Sequence, residues 1–212
     1  MKAIITQRQY LDPRGIECDL LESEYVIFFR RLGIDLLIQS NFQPPITDKH
    51  DLVILTGGGS LDPTRFGETS DRYAQDERDT VEKALFLSAV AQQVPVIGIC
   101  RGMQHINVLL GGRISSLSDL KIARPIGVDH EVRLDNSQAI LVNNFHDDGV
   151  YVDDLAKGLA PLALDVENKI VEAFCGDKIL GLQWHPERKF QDPNSKHIST
   201  KIVEDFILGR LE

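Results

Sequence analysis

The stretch Val96-Ile97-Gly98-Ile99-Cys100-Arg101-Gly102 carries the strongest indication of the fold. It contains the end of an apolar run, Val94–Ile99, whose lack of polar alternation is typical of a central parallel strand buried on both faces. From Arg101 to Leu110 the apolar residues recur at helical spacing, and Gly111 ends the pattern. A buried strand therefore leads directly into a helix, and Cys100 lies at the junction.

Strands and helices alternate on the N-terminal side of this junction. The predicted strands are Ala3–Thr6, Ile34–Ile38 and Asp51–Thr56, and the predicted helices are Asp19–Leu32 and Asp76–Gln93. Such alternation predicts an α/β fold with an open, mainly parallel sheet and helices on both faces. On the C-terminal side, shorter connections predict added antiparallel strands at Val128–Arg133, Ala139–Val142, Ile170–Phe174 and Ile179–Trp184, followed by a helix over Ile198–Leu208.

Composition and charge limit the function classes. The chain has 212 residues, 42% apolar and 26% charged, so we expect one globular domain over residues 1–212. With 23 basic against 32 acidic residues the net charge is −9, which disfavours nucleic acid and anionic membranes as partners. No apolar run reaches the roughly twenty residues of a spanning helix, and the N-terminus lacks a signal-peptide core. Because three distant cysteines predict no disulfide framework, we expect a cytoplasmic protein.

Cys100 is the candidate nucleophile. Gly98 and Gly102 flank it at minus two and plus two, the pattern of a nucleophile elbow, in which small neighbours permit a sharp turn. The positive end of the following helix favours a thiolate. The alternative is that Cys100 is a small core residue and the glycines serve a tight turn. Cys18 and Cys175 lack this setting and are expected to be a helix residue and a strand residue without chemistry.

His185 is the candidate base. It ends the last predicted strand in Gln183-Trp184-His185-Pro186-Glu187, and residues two apart in extended chain face the same side. Glu187 can therefore orient the imidazole and favour its charged form, unless the segment is only a surface His-Pro turn. Of the other histidines, His146 is a candidate for lining the site, and His50, His130 and His197 are expected at the surface. The ligand spacing predicts no metal site.

Two backbone segments are candidates for holding an oxyanion. One donor is the N–H of Arg101, directly after the nucleophile. The other lies in the turn Thr56-Gly57-Gly58-Gly59, where glycine permits unusual backbone angles. A phosphate-binding loop is disfavoured because no Gly-Lys-Ser/Thr follows. The alternative that the segment is a plain strand-to-loop turn stays open.

Together, Thr56–Gly59, Gly98–Gln104 and Gln183–Glu187 resemble the class I glutamine amidotransferase superfamily, and the resemblance covers most of the chain. Asp76–Asp79, the Arg after the cysteine and Asn143–His146 look like its γ-glutamyl-γ-aminobutyrate hydrolase branch, the C26 peptidase group. One departure is that Asp147-Asp148 follows His146, where members of the branch usually carry a second His or a Gln.

The resemblance implies a flavodoxin-like core and specific roles for the candidate residues. Cys100, His185 and Glu187 would form a catalytic triad, and the N–H groups of Gly58 and Arg101 an oxyanion hole. Gln104 would hold the glutamyl part of a substrate, and the substrate-binding residues would further include Asn144, Phe145 and His146. No cofactor and no metal are implied, and the expected partner is a small γ-glutamyl compound. Whether the chain forms a homo-oligomer stays open.

Three functions are compatible with these residues. The first is a free-standing hydrolase that cleaves a γ-glutamyl amide to glutamate and an amine. The resemblance to the hydrolase branch implies γ-glutamyl-γ-aminobutyrate as a substrate, and short relatives suggest a γ-glutamyl nucleotide amidate of surface-polysaccharide synthesis. The second is a glutaminase subunit that delivers ammonia to a separate synthetase. The third is a non-catalytic binding module on the same fold, which the complete Cys, His and Glu set disfavours.

Arginines near the predicted site indicate the charge of the leaving group. Arg65, Arg72 and Tyr73 lie in the long polar loop Gly57–Gln75, and Arg8 and Arg14 follow the first strand. Because ligands bind at the carboxyl edge of open α/β sheets, these arginines predict a site for an anionic amine portion. The alternative is that they are solvated loop charges.

Overall fold

The computed structural model describes residues 1–46, 48–61, 75–117, 122, 124–165 and 169–211. The strands are β1 (Lys2–Ile5), β2 (Arg8–Leu11), β3 (Glu17–Leu20), β4 (Asp35–Ile38), β5 (Leu52–Leu55), β6 (Val96–Ile99), β7 (Ser115–Ser116), β8 (His130–Leu134), β9 (Ala139–Val142), β10 (Asp148–Tyr151), β11 (Ala160–Asp165), β12 (Ile170–Gly176) and β13 (Ile179–Leu182). The helices are α1 (Ser23–Arg31), α2 (Asp76–Gln92), α3 (Arg101–Leu109) and α4 (Pro193–Ile207), and a short 3-10 turn covers Val152–Asp154.

One sheet contains most of these strands. Its order is β4-β1-β5-β6-β13-β12-β11-β8-β9, with β10 and β7 attached beside β12. Strands β4, β1, β5, β6 and β13 are parallel neighbours, and every residue of β6 is buried. The prediction of a central, parallel strand before Cys100 is therefore confirmed.

Helices cover both faces of the parallel half. Helices α1 and α4 pack on one face, where Phe29 and Val203 meet Ile5 and Ile97. Helices α2 and α3 pack on the other face, where Phe86 and Ile106 meet Ile4 and Val53. Adjacent strand residues thus enter different cores, as the alternation of side chains along a strand requires. The predicted α/β class with helices on both faces is confirmed.

The second half of the chain adds antiparallel strands, as predicted. The pairs β8–β9, β8–β11, β11–β12 and β12–β13 are all antiparallel. On its other edge β13 pairs with β6, and this pair is parallel. The sequence patterns did not indicate β7, β10 or β11, and β7 is only two residues long.

The helix predicted over Asp19–Leu32 begins later than expected. Strands β2 and β3 form a hairpin in which Tyr10 pairs with Cys18, and α1 starts only at Ser23. The hairpin turn is stabilised by Asp12, whose carboxylate accepts the N–H groups of Arg14 and Ile16. Cys18 is therefore a strand residue, because this local turn prevents the helical periodicity from extending that far.

The last helix begins earlier than predicted. Asp192 caps α4 by accepting the N–H groups of Asn194 and Ser195, and Pro193 occupies the first turn, where its missing N–H costs nothing. Within the described residues, none of the helices has the length and apolar character needed to span a membrane.

Candidate active site

Cys100 lies at the sharp turn between β6 and α3. Its backbone has φ +54° and ψ −110°, a conformation that L-residues rarely adopt and that often marks functional sites. The flanking glycines are needed for close approach, since a Cβ on Gly98 would lie 2.6 Å from the carbonyl group of Gly102. A Cβ on Gly102 would overlap the carbonyl oxygen of Leu55. The strand, sharp turn and helix expected around Cys100 are present.

His185 and Glu187 follow β13, the parallel neighbour of β6. Nδ1 of His185 lies 2.6 Å from Oε1 of Glu187, and both residues are buried. The backbone of His185 is fixed by Asn143, whose side-chain oxygen accepts the His185 N–H and whose amide nitrogen donates to the His185 carbonyl, each at 2.9 Å. Cys100 and His185 line the same cavity. The structure therefore brings the three predicted catalytic residues together.

The charge of His185 depends on its neighbours. Burial alone would lower the pKa of His185, but the charges of Glu187 and Cys100 and their hydrogen bonds raise it to about 9. The ring is consequently an imidazolium at neutral pH.

The glycine turn after β5 lies against both predicted catalytic side chains. A Cβ on Gly57 would come within 2.7 Å of Cε1 of His185 and 3.2 Å of Cβ of Cys100. Tyr25, on α1, accepts the N–H of Gly57 through its hydroxyl at 3.0 Å. Gly58 has φ +86°, which glycine adopts without strain.

Arg78, on α2, binds the carbonyl side of this turn. Its guanidinium donates to the carbonyl oxygens of Thr56 and Gly58 at 2.6 Å and of Gly57 at 3.2 Å. In a planar trans peptide the N–H points away from the preceding carbonyl. The N–H groups of Gly58 and Gly59 therefore point away from Arg78.

A buried ion-pair network joins the turn to the helix that carries Arg101. The Arg101 guanidinium pairs with Asp79 and with Glu82, the latter at 2.6 Å, so its side chain points into the protein. Glu82 also binds Arg78 at 2.8 Å and His105 at 2.9 Å. Burial alone would raise the pKa of Glu82, but Arg78 and Arg101 lower it well below its usual value. The backbone N–H of Arg101, in the first turn of α3, has no acceptor within the helix.

A cavity of about 340 Å³ opens above Cys100. It is lined by Arg8, Gly58, Gly59, Ser60, Cys100, Gln104, Phe145, His146, Asp147, Asp148, His185 and Arg188. Gln104 donates to the carbonyl of Asp148 at 3.0 Å and to the side chain of Gln183 at 3.1 Å. Asn144 is not part of this lining, because its amide donates to the carbonyl of Pro125 at 3.1 Å and holds that loop.

Two of the histidines expected at the surface are not there. His50 is buried, and its Nδ1 contacts the carbonyl of Asp48. His130 is half-buried because its Nε2 lies 3.1 Å from Glu172. His197 is exposed as predicted. Burial would raise the pKa of Glu172, but His130, His146 and Arg124 lower it to about 2.

Two groups of side chains in the described part of the chain have the geometry to hold a cation. They are His130, His146 and Glu172, and Asp79, Glu82 and His105. In each group the central glutamate already binds an arginine, Arg124 at Glu172 and Arg101 at Glu82. A guanidinium therefore supplies the positive charge that a metal ion would bring.

Comparison with known proteins identifies the family. Residues 32–187 match the Peptidase C26 family. The chain belongs to this family. It is similar to YvdE of Lactococcus lactis, a glutamine amidotransferase-like protein, with 29% identity over 76% of this chain and 75% of that protein. It is also similar to a γ-glutamyl-CDP-amidate hydrolase of Campylobacter jejuni, with 32% identity over 65% of this chain. The match spans 62% of that hydrolase, less than two thirds of its length.

The fold agrees with this membership. A crystal structure of a glutamine amidotransferase from Thermotoga maritima superposes with a TM-score of 0.69 and 17% identity, over 100% of this chain and 98% of that one. This likeness shows the flavodoxin-like α/β fold.

Some site residues of this C26 protein were not indicated by its motifs. Arg188, which lines the cavity, is one of them. Of the two arginines predicted to reach the site from the first strand, Arg8 lines the cavity, whereas Arg14 is exposed and pairs with Asp12 at 2.7 Å. Arg65, Arg72 and Tyr73 lie outside the described residues. Arg78 and Glu82 are four apart on α2, and this spacing of opposite charges is the signal that was available for them.

Proposed function

We propose that this protein is a cysteine-dependent hydrolase that cleaves a γ-glutamyl amide to glutamate and an amine. The observation that carries the proposal is a buried Cys100 at a strained strand–helix turn, which lines one cavity with His185, while Nδ1 of that imidazole lies 2.6 Å from Glu187. C26 membership and the name of the Campylobacter relative support a hydrolase of this kind.

The first half of the reaction forms a thioester. The Cys100 thiolate attacks the γ-carbonyl carbon, and the N–H groups of Gly58 and Arg101 stabilise the negative charge on the oxygen. The carbon–nitrogen bond then breaks, and the His185 imidazolium gives its proton to the departing amine. Glu187 stabilises the imidazolium and fixes its orientation.

The second half releases glutamate. Neutral His185 takes a proton from water, and the resulting hydroxide attacks the thioester carbon. The carbon–sulfur bond breaks and returns the thiolate of Cys100 beside the imidazolium of His185. Gln104 and His146, both in the cavity lining, are proposed to contact the glutamyl part, with Phe145 beside the ring of His185. Asn144 is proposed to act indirectly, by holding the loop at Pro125.

Candidate substrates are γ-glutamyl-γ-aminobutyrate and a γ-glutamyl nucleotide amidate, the latter being the class named for the Campylobacter relative. The test is glutamate release by the purified chain from these two compounds and from glutamine. Release from either γ-glutamyl compound, faster than from glutamine, is expected without a second protein. If glutamine is the best substrate, or all three are inert until a synthetase is added, the chain is a glutaminase subunit instead.

A further inference from the structure

The peptide unit that joins Thr56 to Gly57 has a partner at each end. Its carbonyl oxygen accepts from Nη2 of Arg78 at 2.6 Å, and its N–H donates to the hydroxyl of Tyr25 at 3.0 Å. In a planar trans peptide the carbonyl and the N–H point in opposite directions, so the two partners lie on opposite sides of the chain. Together they fix the rotation of this peptide plane.

The next peptide unit carries the proposed oxyanion donor, the N–H of Gly58. The direction of this N–H depends on the two backbone angles of Gly57, which has no side chain to restrict them. The carbonyl of the same unit accepts from Arg78 at 3.2 Å, a longer contact than the one at Thr56. If the preceding plane rotates, the N–H of Gly58 turns with it. The contacts of the Thr56–Gly57 peptide therefore control the direction of the donor.

Tyr25 is a fixed partner for this peptide. It is buried on α1, and its ring meets the imidazole of His185 edge-on with centroids 6.4 Å apart. Burial, and then the charge of Glu187, raise the pKa of Tyr25 well above its usual range. The phenol is consequently neutral at every pH near physiological values, so the Gly57 N–H has the same acceptor throughout.

We propose that Tyr25 is a positioning residue that orients the N–H of Gly58 toward the oxyanion by holding the N–H of Gly57. The hydroxyl also lies 3.4 Å from Nδ1 of His185. We assign its role to the glycine turn, because the contact with Gly57 is shorter and Nδ1 already lies 2.6 Å from Glu187. This inference rests on the hydrolase function proposed above.

Tyr25→Phe isolates the hydroxyl, because it keeps the buried ring. Removal of an entire oxyanion donor costs about 10²–10³-fold in kcat, so a misdirected donor should cost about tenfold. Substrate binding should change less than about twofold, because the negative charge on the oxygen develops only in the transition state. The measurements are kcat for γ-glutamyl-γ-aminobutyrate and, by calorimetry, its Kd with Cys100→Ala added to prevent turnover. Tyr10→Phe, at an exposed tyrosine of β2, is the matched control and should change neither value.

Two further measurements distinguish the turn from the imidazole. The alkaline limb of kcat/KM should stay at the native pH in Tyr25→Phe, and a shifted limb would assign the hydroxyl to His185 and contradict the proposal. Because Arg78 holds the same peptide, Tyr25→Phe with Arg78→Lys should lose less kcat than the product of the two single losses. A loss equal to that product would mean that Tyr25 acts elsewhere. A weaker Kd in proportion to the loss of kcat would likewise contradict a positioning role.

Hydrogen exchange measured by NMR separates this proposal from the hydrolase function, since it needs no turnover. The N–H of Gly57 should exchange about tenfold faster in Tyr25→Phe than in the native protein, the effect of one lost hydrogen bond. The N–H of Val53, bonded to the carbonyl of Pro95, is the internal control and should not change. Faster exchange at Gly57 with no turnover by the native protein would contradict the hydrolase function alone. Native turnover with unchanged exchange at Gly57, or with unchanged kcat, in Tyr25→Phe would contradict the role of Tyr25 alone.

Discussion

The two sides of the candidate site are held by different kinds of interaction. Cys100 and the glycine turn are supported by buried charges, because Glu82 binds both Arg78 and Arg101. His185 is supported by a neutral amide, Asn143, and by the carboxylate of Glu187. Hereafter the first group is the charged side and the second the amide side.

This difference has a physical consequence. On the charged side, removal of one partner leaves a buried charge unpaired, which costs about 3–5 kcal/mol. That side therefore supports the fold as well as the geometry of the site. On the amide side the hydrogen bonds are mostly neutral. A change at Glu187 should therefore act mainly on the protonation of His185. Variants on the two sides should differ in kcat, pH dependence and stability.

Cys100→Ala should have the largest effect on kcat, because Cys100 lies between the charged side and the amide side. Loss of the proposed nucleophile is expected to lower kcat by at least about 10³-fold. Thermal stability should change little, because alanine keeps the Cβ of Cys100 and removes only the sulfur atom. Steady-state kinetics and a melting curve check both. Retention of a tenth of the activity would contradict the thioester mechanism.

His185→Asn and Glu187→Gln test the amide side. In the proposed mechanism His185 moves the proton and Glu187 acts through it, so Glu187→Gln should cost about 10²-fold less than His185→Asn. The pKa of His185 is raised to about 9, so the imidazolium persists below that pH and is lost as the pH rises through it. We expect the alkaline limb of kcat/KM near pH 9 in the native protein.

The same limb should move to lower pH in Glu187→Gln, since the charge that raises the pKa of His185 is gone while the burial that lowers it stays. The measurement is a pH–rate profile of both proteins. An unshifted limb would mean that Glu187 does not control the proton of His185.

Arg78→Lys tests the charged side. Lysine keeps the positive charge near Glu82 but lacks the planar fork that reaches the carbonyls of Thr56 and Gly58. A misaligned glycine turn should lower kcat by about tenfold or more with little change in KM, because the oxyanion exists only in the transition state. Arg31→Lys, an exposed arginine on α1, is the matched control. Equal losses in kcat and substrate binding would contradict this positioning role.

Local patterns account for what the sequence predicted. The elbow at Cys100 and the pair His185–Glu187 each lie within a few consecutive residues, where backbone geometry alone places the side chains. The central strand was predicted because an apolar run buried on both faces is unambiguous. The hairpin before α1 was not, because the helical spacing of Leu20, Leu21 and Tyr25 competes with the turn at Asp12.

Contacts between distant segments account for what the sequence did not predict. Arg78 reaches carbonyls about twenty residues earlier, and Asn143, directly after β9, binds His185, which follows β13. Only the packed sheet brings these pairs together. Charged residues on α2 would ordinarily be assigned to the solvent, yet Arg78 and Glu82 are fully buried. Buried ion pairs of this kind have no signature in hydrophobic periodicity.

Asn143→Ala, on the amide side, should have the smallest effect on the rate. Alanine would leave the buried N–H and carbonyl of His185 without their partner, at about 1–3 kcal/mol, so the melting temperature should fall by several degrees. A looser imidazole should lower kcat only a few-fold, since Glu187 still binds Nδ1. The alkaline limb should stay near pH 9, because the charges around His185 are unchanged. Asn194→Ala, in the exposed first turn of α4, serves as the control. If Asn143→Ala moved the alkaline limb as far as Glu187→Gln does, Asn143 would control the protonation of His185 as well as its position. The assignment of position to Asn143 and of protonation to Glu187 would then be wrong.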